Sequence, residues 1–175
     1  MGGPRHSLPG WALAMQGQGE VGLAQVHQGI TTIRARGQTL FVPYLYTVLA
    51  DVCAHPGHTA DGLQALAEAQ TLIEQHEERC WEAEIYRLRG VMLLRQPVPQ
   101  PAEAETWLQR ALDVARRQEA KSLELRAAMS LARLWQQQGK RAEAYALLAP
   151  IYGWFTEGFD TADLQEAKGL LEALA

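Results

Sequence analysis

The sequence has only two cysteines, Cys53 and Cys80, among 175 residues. Two cysteines do not make a disulfide framework, so a small disulfide-stabilised secreted domain is excluded. No run of residues is long and apolar enough to span a membrane. The opening stretch, MGGPRHSLPGWALAM, has no sustained apolar run of the kind found in signal peptides. We therefore expect a cytoplasmic protein with no membrane partner.

The common motifs of catalysis are also missing. The chain contains no GxxxxGKS/T phosphate loop, no GxGxxG after a strand, no GxSxG and no HExxH. This removes the simplest nucleotide-binding, hydrolase and metalloprotease interpretations. Neighbouring acids, such as Glu82 and Glu84 or Glu103 and Glu105, are interpreted as charges on exposed helix faces. We expect no catalytic residue, no cofactor and no enzyme activity.

The best candidate for a metal site combines Cys53, His55 and His58 with Cys80 or His76 as a fourth ligand. These residue types suit zinc. Their spacing is poor, because Cys53 falls on the packing face of its helix while the two histidines flank a turn. We interpret Cys53 as a buried thiol and the histidines as loop residues, and expect no bound metal.

The chain does contain a repeat. A small residue is followed four positions later by a large one and three positions after that by another small or apolar residue. The four copies are Gly22, Val26 and Gly29; Gly62, Leu66 and Ala69; Ala104, Leu108 and Ala111; and Ala144, Leu148 and Ile151. Their first members are 40, 42 and 40 residues apart. A fixed period of this size is typical of a helical solenoid, in which small residues let two helices approach closely.

Residues 121–155 form the clearest copy, with two predicted helices around a turn at Gly139. The apolar face of the first helix consists of Leu123, Ala127, Leu131, Leu134 and Trp135. The apolar face of the second consists of Ala142, Tyr145, Leu148, Ile151 and Tyr152. Because neither helix can bury its face alone, the two must pair and the pair must stack on neighbouring pairs. The sequence predicts an all-α helical-repeat solenoid.

We divide the chain into a flexible N-terminus at 1–9, repeats at about 10–38, 39–78, 79–118 and 119–155, and a C-terminal capping helix within 156–175. We expect the first helix of the first repeat, at 10–16, to be incomplete at its start. We therefore expect an open N-terminal end with exposed apolar surface, through which two copies could form a homodimer.

The repeat unit resembles a tetratricopeptide repeat. Ala144, Leu148 and Ile151 occupy the family's small, large and small positions on the second helix, and Gly90 and Ala132 occupy its small position on the first. The resemblance implies a right-handed superhelix of about four helix pairs. The period exceeds the usual length of about 34 residues, and HEAT-like repeats share the longer period.

In tetratricopeptide-like stacks the first helix of each pair lines a concave groove. The repeat alignment assigns three sets of residues to that groove: Tyr44, Thr47 and Asp51; Glu84, Arg87 and Val91; and Arg126, Met129 and Arg133. The three arginines could hold an acidic peptide or a carboxylate. Residues 81–141 carry a net charge of +4, from 11 basic and 7 acidic side chains, while residues 142–175 carry −5, from 1 and 6. The alternative is ordinary pairing of the arginines with Glu84 and Glu124.

Nucleic-acid binding has little support. Arg110, Arg116, Arg117 and Lys121 form a basic stretch, but cations are also favoured at the C-terminus of a helix. We expect no nucleic-acid partner.

Residues 81–94, WEAEIYRLRGVMLL, and above all residues 111–174 resemble the C-terminal tetratricopeptide-like region of large bacterial signalling ATPases. Those proteins carry an AAA or STAND-type module, often behind a class III adenylate/guanylate cyclase domain or joined to a DNA-binding domain. No catalytic residue of those proteins can be assigned to this sequence, because their cyclase and ATPase motifs are absent from it. The resemblance implies a sensor or scaffold arm that binds a protein partner or the other domains of a parent protein. The alternative it leaves is a sensor domain with a small-molecule inducer inside the superhelix.

Overall fold

The computed structural model describes residues 19–37, 41–53, 58–76 and 79–175, which form eight α-helices and a 3₁₀ helix, Arg79–Trp81. The α-helices are α1 (Gly19–Ala35), α2 (Val42–Val52), α3 (Thr59–His76), α4 (Glu82–Arg95), α5 (Pro101–Arg117), α6 (Lys121–Gln137), α7 (Arg141–Tyr152) and α8 (Ala162–Leu174). No strand occurs in these ranges, so the all-α prediction is confirmed. Within them, no helix is long and apolar enough to cross a membrane.

Three of the predictions fall on residues outside those described. These are the flexible segment at 1–9, the incomplete helix at 10–16 with its dimer contact, and the loop residue His55.

Each helix packs against the next helix in the chain. Alternate helices are also in contact, since α2 touches α4, α4 touches α6 and α6 touches α8. These four helices therefore lie side by side in a row. This arrangement is consistent with an α-helical repeat.

The repeat positions form the contacts between helices. The large residue of each copy is almost fully buried, and the set consists of Val26, Leu66, Leu108 and Leu148. At the contact between α4 and α5, a Cβ added to Gly90 would lie 2.7 Å from Cγ of Leu108 and 3.0 Å from the carbonyl oxygen of Ala104. Glycine at position 90 thus allows the two helices to approach closely.

The turn between α6 and α7 lies at Gly139, whose φ of 80° is in the left-handed region that favours glycine. The prediction for the apolar face of α7 was wrong in part, because Ala142 and Tyr145 are exposed. The buried face of α7 consists of Ala144, Leu148 and Ile151. The small side chain of Ala144 lets α7 pack closely on this side, and the neighbouring stripe with Ala142 and Tyr145 is turned outward.

We expect Gly90→Ala to lower the free energy of unfolding by about 1–3 kcal/mol, since the new methyl group overlaps Leu108 and the helices must separate. Gly169→Ala in α8 is the matched control, because a Cβ at Gly169 meets nothing within 4 Å. That variant should gain about 0.5–1 kcal/mol through higher helix propensity. Urea unfolding followed by circular dichroism measures both. Equal stabilisation by the two substitutions would show that Gly90 is not a point of close approach.

Candidate functional site

A partly open cavity of about 400 Å³ lies across the row formed by α2, α4, α6 and α8. It is lined by Tyr44, Thr47, Val48, Asp51, Trp81, Glu84, Arg87, Arg126, Met129, Ser130, Arg133, Asp163 and Glu166. The structure therefore brings together eight of the nine residues assigned to the groove from the repeat alignment. The exception is Val91, which packs against the hydrophobic core and does not line the cavity.

Sequence reasoning missed five of the lining residues, which are Val48, Trp81, Ser130, Asp163 and Glu166. The two acids lie on α8, which was interpreted only as a cap. The sequence contained one indication that these two acids face the arginines: the acidic C-terminal segment could neutralise the basic segment before it. Asp163 and Glu166 are three positions apart and so lie on one face of the helix.

An ion pair between Glu84 and Arg87, one turn apart on α4, is the most buried of the ion pairs that line the cavity. Nη2 and Nε of Arg87 donate to the two carboxylate oxygens of Glu84 at 2.7 and 2.9 Å. The side chains are only 9% and 17% exposed. Nη1 of Arg87 also donates to Oγ of Ser130 at 3.4 Å, which connects α4 to α6.

The prediction that Glu82 and Glu84 lie on an exposed helix face was wrong, since both are buried. Glu84 faces α6, the neighbouring helix in the row, and its carboxylate lies 3.7 Å from the guanidinium group of Arg126. Glu82 accepts a hydrogen bond from the hydroxyl of Tyr86 at 2.9 Å and pairs with Arg79 at 3.4 Å. Their burial follows from the stacking of the helices, which a single-helix pattern does not show.

More exposed ion pairs between α6 and α8 also line the cavity. Nε of Arg126 donates to Asp163 at 2.7 Å, and Arg133 pairs with Glu166. All three arginines of the predicted patch are therefore paired with carboxylates. Of the two acids named as alternative partners, Glu84 contacts Arg87 and Arg126.

Glu124 does not pair with these arginines. It binds Arg116 at 3.1 Å and Lys121 at 2.7 Å, away from the cavity. Burial on its own would raise the pKa of Glu124, but its hydrogen bonds and charge attraction to Lys121 and Arg116 lower it below the ordinary value. Two cations of the basic stretch at 110–121 are thus used to neutralise a buried carboxylate.

The Glu84–Arg87 pair stays ionised. Burial would raise the pKa of Glu84, but the charge and hydrogen bonds of Arg87, followed by the charge of Arg126, lower it below the usual glutamate value. Burial likewise opposes the charged form of Arg87, whereas Glu84, and then Asp51 and Asp163, raise its pKa above the ordinary value. The cavity therefore keeps fixed charges of both signs.

Aromatic and apolar side chains also line the cavity. The rings of Tyr44 and Trp81 lie with their centroids 4.6 Å apart and their planes at 38°. The Thr47 hydroxyl donates to the carbonyl oxygen of Tyr44 at 2.7 Å, so it is held by its own helix. Val48 of α2 and Met129 of α6 are the aliphatic residues of the lining. The cavity lining thus combines aromatic rings, apolar side chains and charged groups.

Of the residues considered as zinc ligands, Cys53 is buried and Cys80 is exposed. Burial, and then the charge of Asp61, raises the pKa of the Cys53 thiol to about 12. His58 lies 3.2 Å from Glu20 and 3.6 Å from Asp61. Among the described residues, no three histidine, cysteine or acidic side chains are grouped as a metal site would need.

The sequence matches no protein-family model, and no curated protein sequence matches it. A relationship between this chain and the signalling ATPases thus rests on the resemblance of residues 81–94 and 111–174, and it stays a prediction. The fold and the cavity by themselves define a helical protein with a charged, aromatic-walled groove.

We expect Glu84→Gln to lower the free energy of unfolding at pH 7 by about 3 kcal/mol, because the buried cation of Arg87 loses its hydrogen-bonded carboxylate partner. The folded-state pKa of Glu84 is lowered, so its stabilising effect is complete above the unfolded-state pKa of about 4.3. That effect is lost as the pH falls through the folded-state pKa. The difference between the wild type and the variant should therefore shrink below about pH 4 in urea titrations.

Glu172→Gln is the matched control, since this acid is 67% exposed in its pair with Lys168. It should change stability by less than about 0.5 kcal/mol at any pH. A difference between wild type and Glu84→Gln that stays constant from neutral to acid pH would contradict the assigned role of the charge.

Proposed function

We propose that the chain is a non-catalytic interaction module, built as a right-handed, tetratricopeptide-like solenoid, which binds a segment of a protein partner in its concave cavity. The observation that carries this proposal is the cavity itself. Four alternate helices and the 3₁₀ helix contribute walls to one space, and seven of its thirteen lining residues are charged. Polar groups that converge on one cavity are the usual mark of a ligand site.

The state of the charged groups favours recognition over catalysis. A general base works best when its pKa is near the working pH. Glu84 has a lowered pKa and is held by two hydrogen bonds from Arg87, so it is a weak base. The other lining arginines are also paired with carboxylates. Such fixed pairs can orient a ligand without transferring its protons.

The free-energy cost of burying the Glu84–Arg87 ion pair also supports a binding role. Removing two charges from water is unfavourable, and an apolar pair of similar volume often gives equal or greater stability. Glu84 and Arg87 nevertheless lie at the cavity, where their charges are available to a bound molecule. A preorganised polar surface lowers the cost of ordering side chains when a ligand binds.

A small-molecule sensor is the second candidate, and the size of the cavity favours it. Pockets for small ligands have volumes of about 300–1,000 Å³. The observed volume of about 400 Å³ fits a compact metabolite, or two or three side chains of a peptide. An inducer bound inside the superhelix would stabilise the conformation of the helix stack that binds it best. The population of the protein would then shift toward that conformation.

The resemblance to signalling ATPases suggests where the module acts. We propose that it serves as the sensor or scaffold arm of such a regulator, in contact with the other domains of a parent protein. Sequencing the DNA upstream of the Met1 codon tests this. An open frame that runs into a GxxxxGKS/T loop supports the proposal, and an upstream stop codon in the same frame contradicts it.

The groove assignment is tested by filling the cavity. We expect Ser130→Trp to place an indole in the cavity and to abolish the binding of ligands found by thermal-shift screening of metabolites and by peptide arrays. Ser122→Trp is the matched control, because Ser122 is an exposed residue of the same helix and does not line the cavity. It should bind every such ligand as the wild type does.

A ligand raises the melting temperature of the state it binds. The proposal fails if screening yields ligands whose binding survives Ser130→Trp in a protein that circular dichroism shows to be folded. It also fails if neither the metabolites nor the peptides raise the melting temperature of the wild type.

A further inference from the structure

Two acids of α8 occupy the arginines that an acidic ligand of the cavity would need. Nε of Arg126 donates to Asp163 at 2.7 Å, and Arg133 pairs with Glu166. The two acids are three positions apart, so they lie on one face of α8. α8 therefore presents to α6 a pair of carboxylates, as an acidic helix of a partner protein would.

These two ion pairs between α6 and α8 are more exposed than the pair between Glu84 and Arg87. Their four side chains are 33–57% exposed, whereas those of Glu84 and Arg87 are 9% and 17% exposed. An ion pair in contact with water contributes little to stability, because water solvates both groups when the pair separates. The carboxylates of α8 can therefore be replaced by those of a ligand at a low cost in free energy.

The position of α8 in the stack does not depend on these ion pairs. Its apolar face is buried in the same core cluster as apolar residues of α6 and α7, and it consists of Leu164, Ala167, Leu170 and Leu174. Burial of three leucines stabilises the docked helix more than two exposed ion pairs do. Separation of the ion pairs would therefore change the charge of the cavity and leave α8 in place.

The acids of α8 decide whether two of the lining arginines are accessible to a ligand. Burial opposes the charged form of Arg87, but Glu84 and then Asp51 raise its pKa, so this arginine has counter-charges on α4 and α2. The carboxylates closest to Arg126 and Arg133 are instead those of α8. Without those two carboxylates, both guanidinium groups could bind an acidic ligand.

We infer that α8 is an internal competitor, whose Asp163 and Glu166 occupy Arg126 and Arg133 and oppose the binding of an acidic segment of a partner protein. This inference rests on the proposed binding function and adds the class of partner and its regulation. The partner binds when two of its own carboxylates replace those of α8. Because Asp163 and Glu166 are about one helical turn apart, a segment with two acids at that spacing is the best match.

Neutral substitutions in the full chain test the inference, with binding measured by NMR titration of isotope-labelled protein. The probe is the capped peptide Ac-Glu-Ala-Ala-Glu-NH₂, and Ac-Gln-Ala-Ala-Gln-NH₂ is its uncharged counterpart. We expect the double variant with Asp163→Asn and Glu166→Gln to bind the acidic peptide about 10–30-fold more tightly than the wild type. The reason is that two like charges are removed and two arginines are released. The uncharged peptide should bind both proteins equally.

Glu172→Gln is the matched control, since it removes one acidic charge from an exposed residue of α8 that pairs with Lys168. It should change the affinity by less than about twofold, because an exposed charge outside the cavity is screened by salt. Adding Arg133→Gln to the double variant should remove most of the gain, since one of the released arginines is then absent. Circular dichroism checks that each variant is folded.

Four outcomes overturn the inference. The first is an unchanged affinity for the acidic peptide in the folded double variant. The second is an equal gain from Glu172→Gln, which would make the effect one of net charge. The third is a gain that persists in full with Arg133→Gln. The fourth is tighter binding of glutarate than of the peptide by the double variant, which would assign the site to a free dicarboxylate.

Failure of this inference can be distinguished from failure of the proposed function. If the double variant gains no affinity while Ser130→Trp abolishes the binding of other ligands to the wild type, the groove remains a binding site and only the competitor role of α8 is rejected. If the double variant binds the acidic peptide more tightly, Ser130→Trp should abolish that binding. Persistence of the binding in that folded variant would contradict both proposals.

Discussion

Close approach of neighbouring helices at small residues is the constraint on which the structure depends. Gly90 accepts the side chain of Leu108, and a Cβ at Gly62 would meet Cβ of Cys53 at 2.9 Å and the end of Met92. Each helix can bury its apolar face only because the next one fits closely against it. The same contacts fix the distance between alternate helices. The width of the cavity is therefore a consequence of packing in the core.

The row of alternate helices explains why charges are buried in this protein. A residue that would be exposed on an isolated helix pair, such as Glu84, faces the adjacent inner helix once the pairs stack. Its carboxylate needs a counter-charge, and Arg87 and Arg126 supply it. The pairs between α6 and α8 extend this network to the last helix. One face of α8 thus contributes apolar side chains to the core, and another contributes acidic side chains to the cavity lining.

Paired charges also decide what the cavity can recognise. Three arginines viewed as a sequence pattern indicate an acidic ligand, but in the folded chain their charges are neutralised by Glu84, Asp163 and Glu166. The rings of Tyr44 and Trp81 line the same cavity as these ion pairs.

The sequence by itself determined the helical class, the spacing of the repeat pattern and eight of the thirteen residues that line the cavity. The reason is that helical periodicity and a spacing of about 40 residues are local properties, which can be read from residue size. Only the tertiary structure decided which stripe of α7 is buried, that Glu82 and Glu84 lie inside, and that Asp163 and Glu166 face the arginines. Those facts depend on contacts between residues about 30 to 40 positions apart, whose partners are fixed by the stacking of whole helices and not by any pattern within one of them.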